Sequence, residues 1–147
     1  MRGDSRLSRM LHVLIHLGRH SPVMTSEAIA AILTTNPVVV RRTMAGLRDR
    51  GYVQSEKGHG GGWSLVVPLE QISLLDVYEA LDRPPMFCLV PSDDHAECLV
   101  EKAVNAALEQ TRMEAEALML QRFGAIRLSD IASDFEQRMS ALVHPGH

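Results

Sequence analysis

The stretch Gly58-His59-Gly60-Gly61-Gly62-Trp63 constrains this chain more than any other. Four of its ten glycines fall within positions 58–62. Glycine weakens helices and strands and is favoured where a chain must turn or lie close to another backbone. Neither a helix nor an unbroken strand therefore runs through 58–62. The flanks, Tyr52–Lys57 and Trp63–Val67, have the composition of short strands, and Pro68 closes the second. A β-hairpin with a long, glycine-permitted tip is the simplest structure. The cluster is not a phosphate-binding fingerprint, since no Gly-Lys-Ser/Thr follows it and no helix opens after it.

Three helical patterns precede the hairpin. In residues 5–20, Leu7, Leu11, Leu14 and Gly18 share a face, with Met10, Val13 and Leu17 beside it. Ser21-Pro22 ends that helix. Thr25 or Ser26 can cap a second helix through Leu33, with Glu27 suited to its first turn. Thr34-Thr35 makes a short turn. Asn36-Pro37 then starts a third helix, because Asn is a favoured cap and Pro gives up an N–H that would be unpaired anyway. It extends to about Arg50, and Gly51 is a natural left-handed stop. Val40, Met44 and Leu47 form its inner stripe, while Val38, Arg41, Arg42 and Ala45 lie on another face.

After the hairpin, Ser73-Leu74-Leu75-Asp76 resembles a capping box and opens a helix to about Leu81. Pro84-Pro85 leads into a loop. A long helix from about Glu97 to Phe123 follows, with Gly124 as its expected stop. It carries two apolar stripes: Val100, Val104, Ala107 and Leu118; and Leu99, Ala103, Ala106, Met113, Ala117 and Leu120. One stripe is expected to cover the chain's own body, and the other a second subunit. A last helix after Ser129 has Ile131, Phe135 and Leu142 on one face.

The totals exclude several classes. The 147 residues suit one domain, or one domain with an appended element. With 46% apolar and 22% charged residues the chain is not disordered. No apolar run spans a bilayer and no signal peptide is evident, so no membrane partner and a cytoplasmic location are expected. Two cysteines are too few for a secreted disulfide scaffold. No HExxH, G-x-S-x-G or P-loop motif is present, so an enzyme is not expected. The net charge of −3 conceals an asymmetry. Residues 1–67 hold nine Lys and Arg against four Asp and Glu, whereas residues 68–147 hold six against fourteen. The basic half suits a polyanion.

Three helices followed by a hairpin is the order of a winged helix-turn-helix. The expected fold is mainly α with a small β-hairpin: a winged helix-turn-helix domain over 1–82, a loop over 83–98, and a long dimerisation helix with a C-terminal helix over 99–147. In helix-turn-helix proteins the start of the recognition helix enters the major groove. Thr35, Asn36, Val38, Arg41 and Arg42 are the candidate DNA-contacting residues there, with both arginines able to grip guanine edges or phosphates. At the wing, Lys57, His59, Gly60 and Gly61 are the candidates, the glycines letting backbone N–H groups approach phosphates. Trp63 is expected to pack the hairpin on the third helix.

These residues resemble the Rrf-type winged-helix transcription regulators. The likeness rests on Gly51-Tyr52-Val53, on Gly58-His59-Gly60-Gly61-Gly62-Trp63, and on Ile72-Ser73-Leu74-Leu75-Asp76-Val77. His59 stands where that family usually has Pro, and Trp63 where it usually has Tyr. The resemblance covers most of the chain, from the first helix to the long one. It implies a homodimer joined through the long helix, bound to a near-palindromic double-stranded operator, usually as a repressor; the second apolar stripe offers Leu99, Ala103, Met113, Ala117 and Leu120 for that interface. It also implies that the loop before the long helix senses a signal. Cluster-binding members usually carry three cysteines there, and some complete the cluster from the partner's first helix. This chain has two, Cys88 and Cys98, and its first helix offers His12, His16 and His20. An iron–sulfur cluster on Cys88, Cys98 and His12, of the two-iron rather than the four-iron type, is one reading. A thiol switch is the second. The third is a cluster-free regulator answering to a small ligand or a protein partner. A redox or metal module that does not act through DNA is the competing class.

Overall fold

The computed structural model describes residues 4–20, 22–58 and 61–143. The chain forms α1 (Arg6–Arg19), α2 (Ser26–Leu33), α3 (Pro37–Asp49), an antiparallel hairpin of β1 (Val53–Glu56) and β2 (Gly62–Leu65), α4 (Leu74–Ala80), α5 (Leu99–Ala125) and α6 (Leu128–Val143). The caps are the expected ones. Thr25 Oγ1 accepts from the Ala28 N–H at 3.0 Å, and Asn36 Oδ1 accepts from the Val39 N–H at 3.0 Å. Ser73 and Asp76 complete a reciprocal capping box. Gly51 takes φ +81° past the end of α3, the left-handed stop its sequence position predicts.

One core joins all these elements except α5. Val13 and Leu14 of α1, Ile29 of α2, and Val40, Met44 and Leu47 of α3 meet Val53, Ile72 and Val77. Leu128 and Ala132 of α6 join the same core. Burying each such aliphatic side chain contributes about 1.5–3 kcal/mol. The segment after α5 folds back along the segment before α4: the Leu74 N–H donates to the Ile126 carbonyl at 2.9 Å, and the Leu128 N–H to the Ile72 carbonyl at 2.9 Å. These bonds seat α6 against α1.

The long helix departs from expectation in two ways. It runs through Gly124, which has no left-handed φ and lies 3.5 Å (Cβ position) from Leu75 of α4. Secondly, no residue of α5 is buried within the chain. Its packing on α4 lies near its C-terminal end, where Phe123 meets Tyr78 edge to face with ring centres 5.6 Å apart. The stripe of Val100, Val104, Ala107 and Leu118 therefore does not cover the chain's own body, and Val100 remains 71% exposed.

Candidate DNA interface

The turn between α2 and α3 sets the recognition geometry. Thr34 adopts φ +54°, and the Thr35 N–H donates to the Ala30 carbonyl at 3.0 Å, so two residues reverse the chain. Asn36 then spends its side-chain oxygen on the cap of α3. Beyond it, Val40, Met44 and Leu47 turn inward, which leaves Val38, Val39, Arg41 and Arg42 on the surface. Arg41 pairs with Glu27 of α2 at 3.2 Å, a contact the sequence did not signal because it joins two helices. Both side chains are solvated, so the pair is worth at most about 1 kcal/mol. A phosphate can replace Glu27 at little cost.

The wing is fastened to the helices by its second strand. Met24, just before α2, exchanges two backbone hydrogen bonds with Trp63, at 3.0 and 2.8 Å. The buried Trp63 indole N–H donates to Ser26 Oγ at 3.0 Å. Trp63 thus packs inward, and its polar tie runs to the start of α2 rather than to α3. In the hairpin Val53 faces Leu65 and Glu56 faces Gly62. At the tip the Gly61 N–H donates to the Gly58 carbonyl at 3.0 Å, and a Cβ on Gly61 would fall 2.3 Å from the Glu56 carbonyl oxygen. Only glycine fits that turn. Lys57 and Gly58 are exposed beside it, whereas His59 and Gly60 lie outside the described residues.

The expected sensing residues are distributed differently. Cys88 and Cys98 are free, exposed thiols on the loop before α5 and at the cap of that helix. The loop is tethered to α5: Asn105 Nδ2 donates to the Ser92 carbonyl at 2.8 Å, and the His95 N–H donates to Glu101 Oε2 at 2.9 Å. The other Glu101 carboxylate oxygen is the one buried side-chain polar atom without a partner among the described residues. Sequence reasoning missed these tethers, because Asn105 and Glu101 look like ordinary solvated helix positions. On α1 the histidines do form a row, with His12 Nε2 and His16 Nε2 3.0 Å apart. Burial first, then the neighbouring His12 and His20, hold His16 below the ordinary imidazole pKa. Among the described residues no three His, Cys, Asp or Glu side chains come together as a metal-holding group. One chain by itself therefore does not fit a cluster on Cys88, Cys98 and His12. No helix among the described residues is long and apolar enough to cross a membrane.

Comparison with known proteins agrees with this architecture. Residues 4–134 match the Rrf2 family, described as an iron-dependent transcriptional regulator. YwnA of Bacillus subtilis (strain 168), a candidate HTH-type transcriptional regulator, is 31% identical over 128 residues, which cover 87% of this chain and 95% of that protein. The fold is shared with a candidate transcriptional regulator from Lactobacillus plantarum (TM-score 0.75, 20% identity, 95% of each chain). It is also shared with T. potens IscR (TM-score 0.60, 19% identity, 94% of this chain and 90% of that one). The family and its named relatives are regulators, not enzymes. Bearing a winged helix-turn-helix and matched by the family over nearly its whole length, this chain belongs to the Rrf2 family of transcriptional regulators.

Proposed function

We propose that this protein is a homodimeric, cytoplasmic repressor that binds a near-palindromic double-stranded operator. The observation that carries the reading is the exposed start of α3, where Val38, Arg41 and Arg42 project beside a wing anchored through Trp63. In this reading the arginines take guanine edges or phosphates, and Val38 lies against a thymine methyl. The N–H groups of Thr35 and Asn36, with Lys57, His59, Gly60 and Gly61 of the wing, fix the register on phosphates. Residues 1–82 form the DNA-reading unit, 83–98 the sensing loop, and 99–147 the dimerising part. The dimer seam is Leu99, Ala103, Met113, Ala117 and Leu120. A two-fold protein requires two half-sites about one helical turn, or a multiple of it, apart.

Sensing is assigned to the loop with Cys88 and Cys98. Their exposure favours direct thiol chemistry. A cluster requires ligands from a second chain, His12 among them, because one chain does not gather a third. Selection of bound sequences from random duplex DNA by the full-length protein, repeated with Arg41→Ala/Arg42→Ala, tests the DNA reading. The expected result is a two-fold-symmetric consensus that the double variant loses while keeping its oligomeric state. Equal enrichment by the variant would overturn the assignment of α3. The absorption spectrum of protein purified without oxygen, with iron and sulfide assayed, separates cluster from thiol.

A further inference from the structure

A cleft lies between α1 and α6. It encloses about 420 Å³ and is lined by Ser8, Leu11, His12, Ile15, His16, His20, Ile131 and Phe135. That volume falls in the range of small-molecule sites, as does the mixture of an apolar body with a few polar groups on one side. The apolar part is contributed by both helices, Leu11 and Ile15 from α1 and Ile131 and Phe135 from α6. Phe135 holds its ring edge to face with His20, centres 5.2 Å apart. The polar part is a ladder of three imidazoles, His12 to His16 at 4.8 Å and His16 to His20 at 5.8 Å between ring centres.

The chemistry of the wall selects the ligand. Among the described residues no Asp, Glu, Lys or Arg lines the cleft, although Asp and Glu outnumber Lys and Arg in the chain. The nearby acid Glu136 is held by Arg19 at 3.1 Å. The His12 and His16 nitrogens face each other at 3.0 Å, so in the resting chain one can only donate to the other. A carboxylate entering between them accepts from both once the accepting ring moves its proton to Nε2 by changing tautomer, and His20 lines the cleft beside them. A flat ring fits against Phe135 and the aliphatic side chains. We infer that the cleft between α1 and α6 binds a small aromatic carboxylate, its ring on Phe135, Ile131, Leu11 and Ile15 and its carboxylate on His12, His16 and His20. The site does not rest on the DNA reading, and it is exclusive of a cluster held through His12, which would occupy the same imidazole.

The test uses full-length protein with carbon-13-labelled histidine, titrated with naphthalene-2-carboxylate while the imidazole Cε1–H signals are followed. His12→Gln, His16→Gln and His20→Gln identify the three signals. These three are expected to shift together and saturably, while the remaining histidines stay still. The neutral probe naphthalene-2-methanol should bind at least about tenfold more weakly, as the loss of a charge-assisted hydrogen bond predicts. Ile131→Asp, which places a carboxylate in the cleft, should weaken the acid at least about tenfold. Phe135→Ala provides a second variant should Ile131→Asp fail to fold. The site is overturned if no saturable shift occurs up to about 10 mM, if other histidines respond instead, or if both cleft variants bind as the parent does. Equal binding of the alcohol would overturn the carboxylate assignment.

Discussion

Gly62→Ala is the substitution most directly measured by the wing's construction. Gly62 has φ +147°, a conformation that side-chain-bearing residues rarely adopt. A Cβ there would fall 2.6 Å from the Met24 carbonyl oxygen, 2.9 Å from its carbon and 3.1 Å from the Thr25 nitrogen. All three are backbone atoms, so no rotamer change relieves the clash. Relief requires the strand to move away from residues 24 and 25. That movement stretches the two Met24–Trp63 backbone bonds and the indole bond to Ser26 behind them. Backbone strain of about 1–3 kcal/mol, with two weakened hydrogen bonds of about 0.5–1.5 kcal/mol each, predicts a loss of about 2–6 kcal/mol. Against a typical domain stability of about 5–15 kcal/mol this is readily measured. Urea unfolding followed by the fluorescence of Trp63, the single tryptophan, reports on this junction itself. The comparison is Gly51→Ala, where φ is +81° but no atom lies within 4 Å of the added carbon. That variant should lose only the strain component, about 1 kcal/mol. If Gly62→Ala loses no more than Gly51→Ala, the close approach to Met24 does not hold the wing.

Three further outcomes are expected. Lys57→Ala should lower affinity for all duplex sequences and reduce the salt slope by about one charge, measured by fluorescence anisotropy across ionic strength; loss at one base pair alone would move Lys57 off the phosphate. His16, with its folded pKa lowered below 6.5, binds its proton less readily folded than unfolded, so stability present above pH 6.5 falls as pH drops through that value. His16→Gln should flatten the dependence of Tm between about pH 7 and 5, and an unchanged slope would assign the acid loss elsewhere. Leu120→Asp should convert a dimer to monomer at micromolar concentration in light-scattering measurements, since an unpaired charge in an apolar seam costs several kcal/mol; a persistent dimer would move the interface off this stripe.

The legible parts of the fold were those set by local rules. Asn36-Pro37, the Ser73–Asp76 box and Gly51 each specify their backbone within four residues, and each stands where its chemistry requires. The pairing of 72–74 with 126–128 was not legible, because it joins residues more than fifty positions apart. Gly124 shows the limit of composition alone. A glycine near a helix end usually marks the stop, but here Leu75 lies against it and the helix continues. Trp63 was recognisable as an inward anchor, yet Ser26 as its partner follows only from the crossing of β2 over the start of α2. At the candidate site the sequence indicated the arginines but not Glu27 beside Arg41, and the cysteines but not Asn105 and Glu101 restraining their loop.

The exposed length of α5 is the strongest physical argument for the proposed dimer. At 27 residues the helix is about 40 Å long, yet its own chain meets it only through the preceding loop, at Glu101 and Asn105, and through α4 near its C-terminal end, and buries none of its residues. A helix standing in water gains no packing energy, and helical stability in proteins comes chiefly from a buried face. Leu99 is 78% exposed and Met113 54%, an outlay of apolar surface that a stable isolated chain rarely tolerates. Along the stripe the spacing alternates four and three residues: 99, 103, 106, then 113, 117, 120. This is the repeat of a helix seam that meets a second helix. Alanines at 103, 106 and 117 permit close approach, and Leu99, Met113 and Leu120 supply the area. Two copies of one stripe cover each other about a two-fold axis, which an isologous interface requires. With about 1.5–3 kcal/mol for each large side chain buried, several such pairs can exceed the cost of association, about 4–15 kcal/mol. The same two-fold axis would place two copies of α3 to read a palindrome, so the stripe and the arginines support one assembly.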